Sequence, residues 1–135
     1  MSQADLVSTG IALLSVVGIA YGGTFLLRVV AGQVPANELQ RSYFRAGHAH
    51  AGVLVILGLL IRLLLVDTAV PDWSARLSAL VLVAAILMPA GFFLSVMGKD
   101  PARPNAFRYL ILLGALSLTV GLIGAGVGMI SAGLV

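Results

Sequence analysis

Four long apolar stretches constrain this chain more than any other feature. They run over about 6–30, 44–66, 77–97 and 107–134. A bilayer core about 30 Å thick needs about 20 apolar residues in helical form. Each stretch meets that length. In lipid every backbone N–H and C=O must find its partner within the protein, so each stretch is expected to be a helix. A β-barrel is disfavoured, because no stretch alternates apolar and polar residues.

The breaks between them carry turn chemistry. Residues 32–40 hold Gly32, Pro35 and Asn37; 67–74 hold Pro71 and Trp73; 98–105 hold Pro101 and Pro104. Proline stops a helix by removing an N–H donor. Loops this short force antiparallel neighbours. The expected fold is all-α: an integral membrane four-helix bundle, up-down-up-down, with 1–135 as one transmembrane domain.

Composition points the same way. The chain is 60% hydrophobic and 10% charged, against about 25% charged residues in a soluble domain. Its mean hydropathy is +1.10. The absence of Cys excludes a disulfide scaffold, a thiolate zinc site and a thiolate-held iron–sulfur cluster. Met1 to Leu6 holds no Lys or Arg, and the apolar run after it is too long for an h-region. The N-terminus does not read as a cleaved signal peptide.

Charge sets the expected orientation. Arg28, Arg41, Arg45, Lys99, Arg103 and Arg108 gather at one end, and Arg62 and Arg76 at the other. The positive-inside rule places loops 31–43 and 98–106 in the cytoplasm and both termini outside. A bacterial inner membrane is the expected location. No basic helix or aromatic platform lies outside the bilayer, so nucleic-acid binding is not expected. No Asp or Glu lies centrally in any span, which argues against a proton-coupled or cation transporter.

Both histidines lie in Arg45-Ala46-Gly47-His48-Ala49-His50-Ala51-Gly52. Ionisable groups inside a span are rare and point to function. Residues two apart on a helix point about 200° apart, so His48 and His50 cannot chelate one ion. One is expected to face the bundle interior, and the other a neighbouring helix, a subunit or lipid. His48 shares a face with Arg41, Phe44, Arg45, Gly52 and Val55; His50 shares one with Tyr43, Gly47, Leu54 and Leu57. The small residues around them leave room for close helix packing or for a flat ligand such as a porphyrin. A neutral imidazole can ligate haem iron, and it can equally serve as a hydrogen-bonded packing group. Since all His lie on one helix, any second axial ligand must be Met, water, substrate or a group from another subunit.

Other residues are candidates of weaker signal. Arg41 and Arg45 stand where haem propionates or lipid phosphates would lie. Arg28 and Arg62 sit near helix ends and are expected to snorkel to the headgroups. Tyr21 is the tyrosine well inside a span, able to donate a hydrogen bond to a substrate oxygen. Gly18-xxx-Gly22 and Gly124-xxx-Gly128 predict close helix crossings. Met88, Met97 and Met129 are expected to be apolar filler.

A histidine just after a polar loop, at the start of the second of four helices, resembles the family of styrene oxide isomerase and hydroxylaminobenzene mutase. Those short membrane proteins carry an Arg-Ala-His or Ser-Ala-His run at this place. The matching run here is Arg45-Ala46-Gly47-His48-Ala49-His50. The chain reads Val55-Ile56-Leu57-Gly58 where the family has Asn-Gly, and its third helix has no tyrosine. The resemblance implies haem b, an axial ligand at His48 or His50, a homo-oligomer such as a trimer, and an iron acting as Lewis acid. The implied enzyme is a haem-dependent isomerase of a small apolar epoxide or hydroxylamine. The residues themselves point to Arg41, Arg45 and Gly52 around such a cofactor, with Tyr21 as catalytic candidate. The alternative is a non-enzymatic accessory subunit whose histidines and glycine-rich faces serve helix packing.

Overall fold

The computed structural model describes residues 3–66 and 68–134. It is all-helical. Helix α1 spans Gln3–Val30, α2 Glu38–Leu65, α3 Asp72–Ser78, α4 Leu80–Ser95 and α5 Tyr109–Gly133. A 3-10 turn at Ala106–Arg108 leads into α5. Helices α3 and α4 form one span with a tightened turn at Ala79, where backbone bonds of 3-10 type replace the regular ladder. Four segments are thus long and apolar enough to cross a membrane: Gln3–Val30, Glu38–Leu65, Asp72–Ser95 and Ala106–Gly133.

The helix ends explain the boundaries. Helix α1 ends in a Schellman turn: Gln33 N–H donates to Arg28 O and Gly32 N–H to Val29 O. Gly32 has φ +73°, which glycine adopts without Cβ strain. Helix α2 begins at Glu38, about two turns before the apolar stretch expected from 44. Asn37 Oδ1 accepts from Gln40 N, and Gln40 Oε1 accepts from Asn37 N, which closes a capping box. The cap satisfies donors that the hydropathy pattern ignores, so the polar turns Glu38 to Arg45 stay helical.

The same two residues join the loops. Gln40 is buried, and its Nε2 donates to Val96 O and Gly98 O, both at 3.1 Å. Asn37 Nδ2 donates to Asp100 Oδ1 and Pro101 O, both at 2.9 Å. Residues 31–37 and 98–105 therefore meet at one end of the bundle. Asp5 of α1 meets Arg62 of α2 at the other, which makes these two helices antiparallel.

The tightest packing is built on glycine. Helix α4 lies between α2 and α5, and α3 packs on α5. On α5, Gly114 meets Met88, Gly121 meets Val81, Gly124 meets Leu77 and Gly128 meets Ser74. A Cβ on Gly121 would lie 2.9 Å from both Val81 Cγ2 and Val81 N, so the two backbones touch. Ser74 Oγ donates to Gly124 O and Ser117 Oγ to Leu80 O, each at 2.9 Å, across the same seam. The core on the other side of α4 holds Leu54, Val55, Ala84, Ala85 and Met88. Met88 is thus packing, as expected, whereas Met97 is exposed.

Helix α1 is the outlying member. It packs chiefly on α2, and Val29 is its one buried residue among those described. Its outer end is fixed by Arg62. That guanidinium donates to Asp5 O at 3.1 Å, Asp5 Oδ1 at 3.3 Å, Thr9 Oγ1 at 3.2 Å and Ser8 Oγ. Its position near a helix end suggests snorkelling to headgroups; instead α1 supplies its partners, because Asp5, Ser8 and Thr9 share one helical face.

Replacing Gly121 by Leu should destabilise the bundle by about 1–3 kcal/mol, the usual cost of overpacking. Gly126→Ala should be near neutral, since no atom lies within 4 Å of the added Cβ. Thermal unfolding in detergent micelles, followed by circular dichroism, would measure both.

Candidate functional site

The two histidines lie ten and twelve residues into α2, with His48 about 15 Å along its axis from Glu38. They face opposite neighbours, as the helical geometry requires. His48 points into the α1 seam, and His50 towards α4.

On the α1 side, the ring of His48 sits on two glycines. A Cβ on Gly22 would lie 3.7 Å from Nδ1, and one on Gly23 3.5 Å from Nε2. These are ordinary contact distances, so the imidazole fills the notch that Gly22 and Gly23 leave. Gly18 meets nothing within 4 Å, so the close approach uses Gly22 with Gly23 rather than the expected pair Gly18 and Gly22. No other described residue hydrogen-bonds the His48 side chain. Gly52 lies one turn further along, and a Cβ there would be 4.0 Å from Ile19 Cγ2. One turn towards the charged end, Phe44 meets Phe25 edge-on at 5.3 Å. Arg41 and Arg45 come next, lining a cavity of about 190 Å³ with Leu26, Val29 and Val30.

His50 has a different environment. Its Nδ1 lies 2.7 Å from Ala46 O. A carbonyl only accepts, so Nδ1 carries a proton, and in the neutral ring Nε2 then keeps the lone pair. The ring lies 5.0 Å from Phe92, tilted by 35°. Phe92 in turn receives Tyr43 edge-on at 5.6 Å. Gly47 lets these aromatics close on α2: a Cβ there would lie 2.9 Å from Phe93 Cε2 and 3.0 Å from Phe92 Cβ. His50 is therefore a half-buried imidazole with a fixed tautomer, among apolar rings.

The structure thus groups the expected site residues unequally. Arg41, Arg45, His48 and Gly52 share the α1 seam, and His50 stands on the other face of α2. Tyr21 joins neither group. It is 78% exposed on α1, turned away from α2 because the neighbouring Gly22 and Gly23 face that helix.

Three structural partners are not evident from sequence reasoning. The Asn37-Glu38-Leu39-Gln40 capping box carries a readable signature that hydropathy overlooks. Gly22-Gly23 reads only as half of a small-residue motif. The pairing of Arg62 with Asp5 spans the first two helices and leaves no local signal.

Ligand chemistry is limited by what surrounds each imidazole. Among the described residues no group of three or more His, Cys, Asp or Glu could hold a metal ion. A bare zinc or iron ion needs at least three protein donors. A single imidazole, His48 or His50, suits only a metal that brings its other ligands with it. No protein-family model matches the chain, and no curated protein or solved structure matches it.

Nitrogen-15 NMR of histidine-labelled protein in lipid should show the neutral form of His50 as the Nδ1–H tautomer. Its Nδ1 proton should exchange slowly because of the bond to Ala46 O. Rapid exchange at both His50 nitrogens would contradict this geometry.

Proposed function

We propose that the chain is a haem-binding integral membrane protein in which His50 supplies the axial ligand. One observation carries this reading: Nδ1 of His50 donates to Ala46 O, which leaves Nε2 as the ligating lone pair. Ligating histidines generally have their other ring nitrogen fixed in this way. The donor set also favours haem over a bare ion, because a porphyrin provides the four equatorial nitrogens that the described residues lack. The resemblance to styrene oxide isomerase and hydroxylaminobenzene mutase supports haem b as the form.

The residues define a division of labour. His50 would hold the iron. Phe92, Tyr43 and the close approach at Gly47 keep the α4 side of the imidazole dry. Arg41 and Arg45 line the α1 seam, on the face of α2 away from His50. His48 is a packing residue in this reading, filling the notch in α1. The haem would sit between protomers of a homo-oligomer such as a trimer, as the resemblance implies. Tyr21, exposed on α1, would meet a reacting group only from a neighbouring protomer.

Held through His50, haem would supply Lewis-acid chemistry towards a small epoxide or hydroxylamine. The reaction class proposed is isomerisation of such a small apolar substrate, which would enter from the bilayer. Loops 31–43 and 98–106 would face the cytoplasm of a bacterium and both termini the outside, following the basic residues gathered at that end.

The accessory-subunit reading draws on glycine-rich faces free for partners. Gly114, Gly121, Gly124 and Gly128 are covered by α3 and α4, whereas Gly10, Gly18 and Gly126 meet nothing within 4 Å and stay open to a partner.

Absorption spectra of detergent-purified protein, expressed with added haem, test the proposal. The parent should show a Soret band that shifts on dithionite reduction. His50→Ala should abolish the band or reduce its occupancy at least about tenfold, and His48→Ala should retain it. A colourless parent would return the weight to the accessory subunit, and loss through His48→Ala alone would move the ligand to the α1 seam.

A further inference from the structure

We propose that the groove between α1 and α2 at the basic end binds an anionic glycerophospholipid, with its phosphate between Arg41 and Arg45. Three features support it. First, neither guanidinium has a carboxylate partner among the described residues, where the ion pair is Arg62 with Asp5, at the opposite end. Two like charges one turn apart on a helix repel each other, and an anion between them removes that cost. Second, both are held by their inner nitrogen. Arg41 Nε donates to Ala36 O at 3.0 Å, and Arg45 Nε to Arg41 O at 3.4 Å. The terminal nitrogens of each fork stay available, and that fork matches phosphate oxygens. Third, the floor of the cavity is apolar, made by Leu26, Val29 and Val30 of α1. A free phosphate would gain nothing from such a floor; an acyl chain would.

The headgroup has its own space. Arg41 also lines a second recess of about 460 Å³, of mixed polar and apolar lining, with Pro35, Asn37, Gly98, Lys99 and Asp100. The amides of Asn37 and Gln40 are committed to the loop that follows α4, so the recess holds its shape without a ligand. Lys99 forms no ion pair among the described residues and stands ready as a donor. A phosphate at Arg41 with a small hydroxylated headgroup towards Lys99, as in phosphatidylglycerol, fits this order of apolar floor, paired cations and mixed recess. An ammonium there would face Arg41, Arg45 and Lys99 against the one carboxylate of Asp100, so zwitterionic lipids are disfavoured.

The site differs from the His50 face, so its test is separable from that of haem binding. Native mass spectrometry would compare retention of phosphatidylglycerol and phosphatidylcholine by the full chain in detergent. The parent should retain phosphatidylglycerol at least about tenfold better. Arg41→Gln with Arg45→Gln should abolish the preference, whereas Arg28→Gln, which removes a charge from the same end but outside the groove, should leave it. Added glycerol 3-phosphate at millimolar concentration should not displace the lipid. Equal retention of the two lipids, an unchanged preference in the double variant, or displacement by glycerol 3-phosphate would each overturn the proposal. The Soret band read on the same double variant should match the parent. A band lost with the arginines would assign them to haem propionates and overturn the lipid site; a colourless parent that still selects phosphatidylglycerol would support it.

Discussion

Apolar side chains are no more at home against another helix than against lipid, so hydrophobic burial cannot by itself assemble this bundle. What holds α3, α4 and α5 together is close backbone approach. Gly114, Gly121, Gly124 and Gly128 remove side chains along one stripe of α5, and Met88, Val81, Leu77 and Ser74 occupy the space. The attraction across the stripe is dispersion summed over many atoms, aided by Ser74 and Ser117, which donate to backbone oxygens on the facing helix. Everything else hangs on that slab: α2 packs on α4, and α1 on α2.

This order of attachment divides the molecule by purpose. The α3–α4–α5 slab is tightly packed and carries no ionisable group at its centre. The second helix carries both histidines, one on each face, and so presents two seams of different character. Its α4 seam is aromatic and firm. Its α1 seam is lined by glycines, ends in a cavity, and is the natural place for exchangeable molecules. Polar residues concentrate at the ends, where Asn37 and Gln40 lock two loops and Arg62 ties α1.

Much of this is legible from residue patterns. Span number, helical class and loop positions follow from apolar length and proline placement, because the bilayer fixes both. The division of His48 and His50 between faces follows from helical geometry alone. The start of α2 does not, since hydropathy is blind to a capping box such as Asn37 with Gln40. The grouping of Arg41, Arg45, His48 and Gly52 on one face is readable, but which helix that face meets is not. That depends on Gly22 and Gly23, whose partner lies on a different element. The fate of Arg62 is hidden for the same reason: Asp5 is far away in sequence, and a snorkelling arginine looks identical until its neighbour is known.

The clamp between Arg62 and Asp5 also bears on how the chain enters the membrane. Asp5 emerges long before Arg62 during synthesis, so α1 must wait with an acidic group near the end of its span. Arg62 lies in the last turn of α2 and reaches Asp5 only once that helix is in place, so the two ends of the α1–α2 hairpin close last to first.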